Sequence, residues 1–146
     1  MSERNFPDRG MLGTRADFMN RTNEKSHENS FNHRAIGTEY ETLACEYLIQ
    51  QGYQILHRNF RCRQGEIDII AKDKDYFVFI EVKYRRSGQE GDPAEAVDAR
   101  KQARILRTAR YYMTRYHISE DTPCRFDVVA VLGSTVRLIR DAFWCG

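Results

Sequence analysis

The alternation of apolar and polar positions predicts a helix, three strands, a second helix and two further strands. From Ala35 onward, apolar residues recur at helical spacing until Gly52, which is typical of a helix C-terminus. Shorter segments rich in β-branched and aromatic residues follow, each bounded by a polar turn. The predicted strands are Tyr53–His57, Glu66–Lys72, Tyr76–Lys83, Arg125–Leu132 and Val136–Ile139, and the second helix is Ala99–His117 with Asp98 as its N-cap.

The second and third strands form a predicted hairpin around Asp73-Lys74-Asp75 that is apolar on both faces. One face carries Ile67, Ile69, Ala71, Val78, Ile80 and Val82, and the other carries Ile70, Phe77 and Phe79. A hairpin of this kind lies centrally in a sheet that helices cover on both sides. The fold class is therefore predicted as α/β, with a central sheet flanked by helices.

Residues 1–34 differ from the rest of the chain because their few apolar residues are scattered without a helical period. Such a segment buries too little surface to offset its ordering entropy. We predict a disordered tail over 1–34 and a single folded domain over 35–146. A short docked helix over Met11–Met19 is the alternative for the tail.

Composition narrows the function classes. The 146 residues include 23 basic and 21 acidic side chains, for a net charge of +2. No apolar run approaches the length of a membrane span, and residues 1–10 do not resemble a secretory signal. The four cysteines and four histidines show no metal-binding spacing, and the cysteines are interpreted as reduced thiols. We expect a cytoplasmic protein without a membrane partner.

The hairpin register places two carboxylates opposite each other. A turn centred between Lys74 and Asp75 pairs Asp68 with Glu81, and the same register pairs Glu66 with Lys83. Directly opposed Cβ atoms lie about 4.5–5.5 Å apart, a distance at which carboxylates repel. A divalent cation between Asp68 and Glu81 would relieve the repulsion, and their hard oxygen ligands suit Mg²⁺ or Mn²⁺.

Lys83 is predicted on the same face as Glu81, two residues farther along the strand. Its ammonium group could stabilise negative charge or orient a water molecule in the same cleft. A metal and a lysine together suit phosphodiester hydrolysis, because the cation lowers the pKa of bound water and the lysine supports the developing charge. Glu66 opposite Lys83 could instead be a structural cross-strand ion pair.

The segment Gly65-Glu66-Ile67-Asp68, followed after twelve residues by Glu81-Val82-Lys83, resembles the PD-(D/E)XK nuclease superfamily, which has the restriction endonuclease-like fold. Flanking segments over 35–143, including Arg61-Cys62-Arg63 and Arg125-Phe126-Asp127-Val128, are similar to the YraN-like bacterial family. The resemblance implies an α-β-β-β-α-β core with a mixed sheet. Ile67 occupies a position where the superfamily pattern has proline.

The same resemblance implies roles for individual residues. Asp68 and Glu81 would be metal ligands, Lys83 the catalytic lysine, and Glu41 on the first helix an additional acidic catalytic residue. At about 100° per residue, Glu41 falls at the border of the apolar face of its helix, from which it could lean toward the sheet.

Basic residues predict a phosphate-binding surface. Arg100, Arg104, Arg107 and Arg115 share an arc of about 80° on the second helix. An ordinary solvated face, turned away from the cleft, is the alternative. The residues expected to contact nucleic acid are Arg61, Arg63, Arg85, Arg86, Lys101, Arg104 and Arg107.

The sequence thus predicts a metal-dependent endonuclease that hydrolyses phosphodiester bonds in DNA, including branched or damaged DNA. A nucleic-acid-binding module of the same fold, with little or no cleavage activity, is the alternative. A third interpretation is an assembly factor whose acidic face binds a basic partner. A homodimer is left open.

Overall fold

The computed structural model describes residues 36–86 and 97–143. The predicted tail over 1–34 lies outside the described residues, as does the predicted loop over 87–93. Helix α1 spans 36–50 and helix α2 spans Ala99–Arg115. The strands in these two ranges are β1 (Gln54–Cys62), β2 (Gly65–Asp73), β3 (Tyr76–Arg85), β4 (Cys124–Leu132) and β5 (Thr135–Ile139).

The strands form one mixed sheet in the order β1-β2-β3-β4-β5. All neighbouring pairs are antiparallel except β3 and β4, which are parallel and are connected through the segment that contains α2. The predicted α/β class is confirmed, and the element order is consistent with a restriction endonuclease-like core. Within the described ranges, no helix is both long and apolar enough to cross a membrane.

Two hydrophobic clusters lie on opposite faces of the sheet. Ala44 and Leu48 of α1 pack against one face, together with Ile69 and Ile80. The other face packs against α2 through its buried residues, including Ile105, Ala109 and Tyr112. The prediction of a hairpin that is apolar on both faces and covered on both sides is therefore correct.

One residue of that prediction changes face. Ile67 packs in the cluster with α2, whereas Ile69 packs in the cluster with α1. Strict period-two alternation would have put both side chains on the same face. The alternation therefore breaks at Asp68, which lies between them.

The first strand is longer than predicted. β1 continues past His57 to Cys62, so Arg58 and Arg61 lie in the strand, and the turn begins only at Arg63. The ladder between β1 and β2 shifts register between Ile55 and His57. A bulge of this kind interrupts the alternation that identifies a strand in the sequence.

Helix α2 begins as predicted and ends earlier than predicted. The Asp98 side chain accepts a hydrogen bond from the Lys101 backbone N–H at 2.8 Å, which confirms the N-cap. The helix ends at Arg115, with Tyr116 as its C-cap. His117 adopts a left-handed conformation, with φ of 53°, and cannot continue the helix.

A buried polar network ties the sheet together on the side of α1. Asp127 is fully buried and accepts hydrogen bonds from Tyr53, Arg125 and the Asp141 backbone. Arg125 also forms a 2.8 Å ion pair with Asp73 at the β2–β3 turn. Burial and the hydrogen bond to Asp127 raise the pKa of Tyr53 to about 12. The network links β4 to that turn.

We expect Gly65→Ala to destabilise the protein by about 2 kcal/mol, because Gly65 has φ of +147°, a region that strains other residues. An added Cβ would also lie 3.0 Å from Thr108 Oγ1 in α2. Urea unfolding measures the change. Gly37→Ala in α1 is the control, since no atom lies within 4 Å of its added Cβ, and it should be neutral or stabilising by up to about 1 kcal/mol. Equal effects from the two substitutions would contradict this account.

Candidate active site

The candidate site lies where the central sheet opens between β2 and β3. The predicted register is confirmed from the turn as far as the pair Ile69 and Ile80, where the described ladder between these strands ends. Beyond that pair, β2 continues along β1 to Gly65, and β3 continues along β4 to Arg85. The two strands thus follow different neighbours.

Asp68 lies at the point of separation. Its Oδ2 accepts a hydrogen bond from the Val82 backbone N–H at 2.8 Å, so the side chain bridges the strands where the ladder ends. Burial, followed by the charge of Glu81, raises the pKa of Asp68 to about 8. The hydrogen bond from Val82 works in the opposite direction and is outweighed. Without a cation, this carboxyl group therefore tends to retain a proton near neutral pH.

Glu81 is buried and contacts two lysines. Lys101 Nζ lies 2.5 Å from Glu81 Oε1, and Lys83 Nζ lies 3.6 Å from the same oxygen. Only 6% of the Glu81 side chain is exposed, so these contacts compensate a charge that water barely reaches. The site therefore consists of two carboxylates and two lysines.

The pKa values of the two lysines are shifted in opposite directions. Burial lowers the pKa of Lys83, and the neighbouring ammonium group of Lys101 lowers it further. Burial is the strongest single influence on Lys101 and acts to lower its pKa, but the hydrogen bond to Glu81 and the charge of Glu81, with smaller contributions from Lys83 and Asp68, together outweigh burial and raise the value. Lys101 is thus the firmly charged partner of Glu81, and Lys83 is the lysine that releases a proton more readily.

The donor set fits a magnesium-type ion. The lysines contact Glu81 through Oε1 and Val82 contacts Asp68 through Oδ2, so each carboxylate has a second oxygen that could bind a cation. In the part of the chain that the structure describes, no group of three or more His, Cys, Asp or Glu side chains could hold a metal. Two carboxylates still suffice for Mg²⁺, which usually keeps several waters and binds substrate phosphates.

Comparison with known sequences identifies the family. The sequence model described as "Uncharacterised protein family UPF0102" matches residues 40–131. A UPF0102 protein of Lachnoclostridium phytofermentans is 53% identical over 112 residues, covering 77% of this chain and 95% of that protein. A UPF0102 protein of Nitrosococcus oceani is 43% identical over 115 residues, covering 76% of this chain and 93% of that protein. The chain belongs to the UPF0102 family.

Membership of UPF0102 confirms the predicted relation to the YraN-like family. A further UPF0102 protein, from Clostridium botulinum, is 49% identical over 114 residues. The matched region contains Glu41, Asp68, Glu81, Lys83 and Lys101. The names of these relatives state the family and no activity.

Glu41 lies in α1 of this UPF0102 protein and is turned toward β1. Its Oε2 accepts a hydrogen bond from Asn59 Nδ2 at 2.8 Å. Its charge nevertheless contributes to the raised pKa of Asp68. Glu41 is therefore near the edge of the site, held by Asn59 rather than by a residue of the central group.

The predicted pairing of Glu66 with Lys83 is wrong. Glu66 is exposed and forms a 3.2 Å ion pair with Arg61 of β1, to which it is registered in the sheet. Lys83 instead contacts Glu81 on its own strand. The sheet opening at Asp68 explains the difference, because β2 no longer pairs with β3 at Glu66.

The predicted basic residues fall into two groups. Lys101 lies inside the site, and its contact with Glu81 places the start of α2 on the site side of the sheet. The aliphatic stem of Arg104 lies near Gly65 at the start of β2, which is also close to the site. The remaining predicted phosphate contacts lie on the surface or at strand ends, namely Arg61, Arg63, Arg85, Arg86 and Arg107.

Sequence reasoning missed the contact between Lys101 and Glu81, and assigned Lys101 only to phosphate binding. A signal was present in the spacing. Lys101 precedes Ile105 by four residues and Thr108 by seven, and both of those residues are buried. This spacing places Lys101 on the sheet-facing side of the helix.

A cavity among the described residues lies elsewhere. It has a volume of about 1060 Å³ and lies along the other flank of α2, beside the beginnings of β3 and β4. Its lining includes Leu106, Arg110 and Met113 but none of the two carboxylates and two lysines of the site. The candidate chemistry therefore belongs to the sheet opening and not to this cavity.

Proposed function

We propose that this UPF0102 protein is a divalent-metal-dependent nuclease that hydrolyses phosphodiester bonds in DNA. The observation that carries the proposal is the pair Asp68 and Glu81 at the sheet opening. Lys83 and Lys101 both contact the Glu81 carboxylate there. The resemblance to the restriction endonuclease-like superfamily favours DNA over RNA. Branched and damaged DNA are included among the candidate substrates.

Each side chain has a role that its environment supports. Asp68 and Glu81 would hold Mg²⁺ or Mn²⁺, which supplies an activated water and polarises the phosphoryl oxygens. Lys83, whose pKa is lowered by burial and by Lys101, can orient the attacking water and exchange a proton with it. Lys101 stays charged and can stabilise negative charge that develops on the phosphate.

The surroundings of the site suit a polyanion. Arg104 follows Lys101 by three residues on the same side of α2, and Arg61 and Arg63 lie on the hairpin beside it. These side chains lie on the surface, where they can exchange bound counterions for phosphates. A DNA backbone could therefore pass over the site between α2 and the β1–β2 hairpin.

A second candidate is a nucleic-acid-binding module that does not cleave. The specific observation in its favour is the contact of Lys101 with Glu81, because a lysine can neutralise this carboxylate without a metal. In that case the basic surface would be functional and the carboxylates would be structural.

A substrate panel separates the two candidates. We expect the wild-type protein to cut at least one DNA among linear duplex, single-stranded, forked and four-way branched forms when Mg²⁺ or Mn²⁺ is present. Chelator should abolish the products, which denaturing gels resolve, and RNA of matched sequence is the comparison substrate. Binding of DNA without cleavage of any form, with either metal, would favour the binding module. Cleavage that continues in chelator would contradict the metal-dependent mechanism.

A further inference from the structure

One side of α2 carries a row of side chains that starts at the candidate site. Lys101, Arg104, Thr108, Tyr111 and Arg115 follow each other at intervals of three and four residues, which places them on one side of the helix. Lys101 contacts Glu81, and a Cβ on Gly65 would meet both Thr108 and Arg104. We call these five residues the α2 ridge, and it faces the β1–β2 hairpin. Thr108 is fully buried there, so a ligand could reach only the other four members.

The far end of the α2 ridge joins exposed aromatic rings. Tyr111 lies 6.3 Å from the ring of Phe60 in β1, and its side chain is 40% exposed. Tyr116, which follows the helix, is 44% exposed and packs 5.2 Å from His57 and 4.6 Å from Tyr112. Each ring thus contacts neighbouring rings while its residue keeps 40% or more of its surface in solvent. This is the arrangement of a stacking platform.

The charge of this surface is complementary to a phosphate backbone. Helix α2 contains six basic residues and no acidic residue. The Arg115 guanidinium lies 5.9 Å from the centre of the Tyr116 ring, so a positive charge accompanies the exposed rings. Alternating basic and aromatic side chains are characteristic of surfaces that bind single-stranded nucleic acid, where bases stack on rings and phosphates contact cations.

We infer that the α2 ridge and Tyr116 bind an unpaired nucleic-acid strand that leads into the candidate site. Its bases stack on Tyr111 and Tyr116, and its phosphates contact Arg104 and Arg115. The inference rests on the proposed function and specifies the substrate class, because bases paired within a duplex do not offer their faces to protein rings. The substrate is then DNA with a single-stranded extension.

The length of the ridge sets the length of that extension. Tyr111 follows Lys101 by ten positions, which corresponds to about 15 Å along a helix. A stacked strand covers this distance with about four nucleotides, at about 3.4 Å each. Extensions shorter than about four nucleotides should therefore gain little over a blunt duplex.

The test measures binding in chelator by fluorescence anisotropy, so that it does not depend on cleavage. One labelled duplex is blunt, and the other carries an extension of about six nucleotides. We expect Tyr111→Ala with Tyr116→Ala to weaken binding of the extended duplex by about 10-fold or more, since each stacked base is worth about 5- to 150-fold. Binding of the blunt duplex should stay within about twofold.

Two controls isolate stacking from folding. Tyr111→Phe with Tyr116→Phe keeps the rings and should bind like wild type. Tyr76→Ala removes a ring of similar exposure, 43%, at the opposite end of β3 from Lys83, and should leave both affinities unchanged. In the wild-type protein, a photoreactive bromouracil in the extension should cross-link to Tyr111 or Tyr116, a result that needs no variant to fold.

The outcomes separate this inference from the proposed function. Equal losses on both duplexes, no loss on either, or cross-links only at other residues would overturn the stacking platform and leave the nuclease proposal intact. Failure of the wild type to bind any nucleic acid would overturn both. Cleavage of blunt duplex as fast as extended duplex would also count against the platform.

Discussion

Lys83→Ala should slow metal-dependent DNA cleavage by about 10²- to 10⁴-fold, the range expected when a positioned acid–base group is removed. Lys83 combines a lowered pKa with a 3.6 Å contact to Glu81, so it is both near the proposed metal and able to exchange a proton. Single-turnover rates on the best substrate of the panel give the measurement. They separate the chemical step from product release.

Glu81→Gln should cause a loss of similar size, because it removes a charge from the metal site while preserving the size of the side chain. Lys72→Ala and Glu66→Gln are matched controls. Lys72 of β2 lies over the Phe77 ring of β3, and Glu66 is exposed and paired with Arg61. Both controls should cleave at rates close to wild type. Equal rates for Lys83→Ala and Lys72→Ala would remove Lys83 from the proposed catalytic group.

Asp68→Asn should stabilise the protein in chelator and destabilise it relative to wild type when metal is present. The pKa of Asp68 is raised from 3.8 to about 8 by burial and by Glu81, so ionised Asp68 opposes folding. This opposition is absent below pH 4, grows as the pH rises from about 4 to 8, and is constant above 8. In chelator, the free energy of unfolding of Asp68→Asn should therefore exceed that of wild type by an amount that grows from about pH 4 to 8.

Adding metal should make the wild-type protein more stable than Asp68→Asn. A ligand that binds only the folded state stabilises it by about 2.7 kcal/mol at a hundredfold excess over Kd. Wild type should gain this free energy in millimolar Mn²⁺ or Mg²⁺, and Asp68→Asn should gain much less. Thermal unfolding in chelator and in metal, at pH 6 and 8.5, gives the comparison. Asp75→Asn, in the exposed β2–β3 turn, is the control.

Identical melting of wild type and Asp68→Asn in all four conditions would contradict a metal site in the free protein. Repeating the thermal unfolding with DNA present then tests whether a substrate phosphate completes the metal site. No metal-dependent stabilisation with DNA either would leave Asp68 and Glu81 without a metal-binding role.

The register of the hairpin could be predicted because it depends on local sequence. The turn at Lys74, together with alternating apolar residues, fixed the pairing as far as Ile69 with Ile80. The opening beyond that pair could not be predicted in the same way. It depends on the Asp68 side chain accepting the Val82 N–H, and on β2 and β3 each following a different neighbour. A register predicted from alternating residues is valid only while the hydrogen-bonded ladder between β2 and β3 is continuous.

The position of Lys101 shows a different limit. Spacing could place it on the sheet-facing side of α2, but only the packing of that helix on β2 brings its ammonium group to Glu81. Such an approach is a property of tertiary structure, and no local pattern encodes it. The same holds for Glu41. Periodicity predicts its position at the border of the apolar face of α1, but its hydrogen bond to Asn59 requires β1 to continue past His57, with Asn59 in a left-handed conformation (φ of 53°).

The topology of the sheet bears on the order in which the site assembles. β1, β2 and β3 are consecutive antiparallel strands, so their contacts close only short loops. The parallel ladder pairs Phe77 with Cys124 and requires the whole crossover through α2, a contact of much longer range. A nascent chain would therefore bring Asp68 and Glu81 together first, with Lys83 of β3 as the one lysine of the site beside Glu81. Because Lys101 lies in the crossover, its contact with Glu81 would form only when the β3–β4 pairing is complete. That contact would then favour the completed topology over the isolated three-stranded meander.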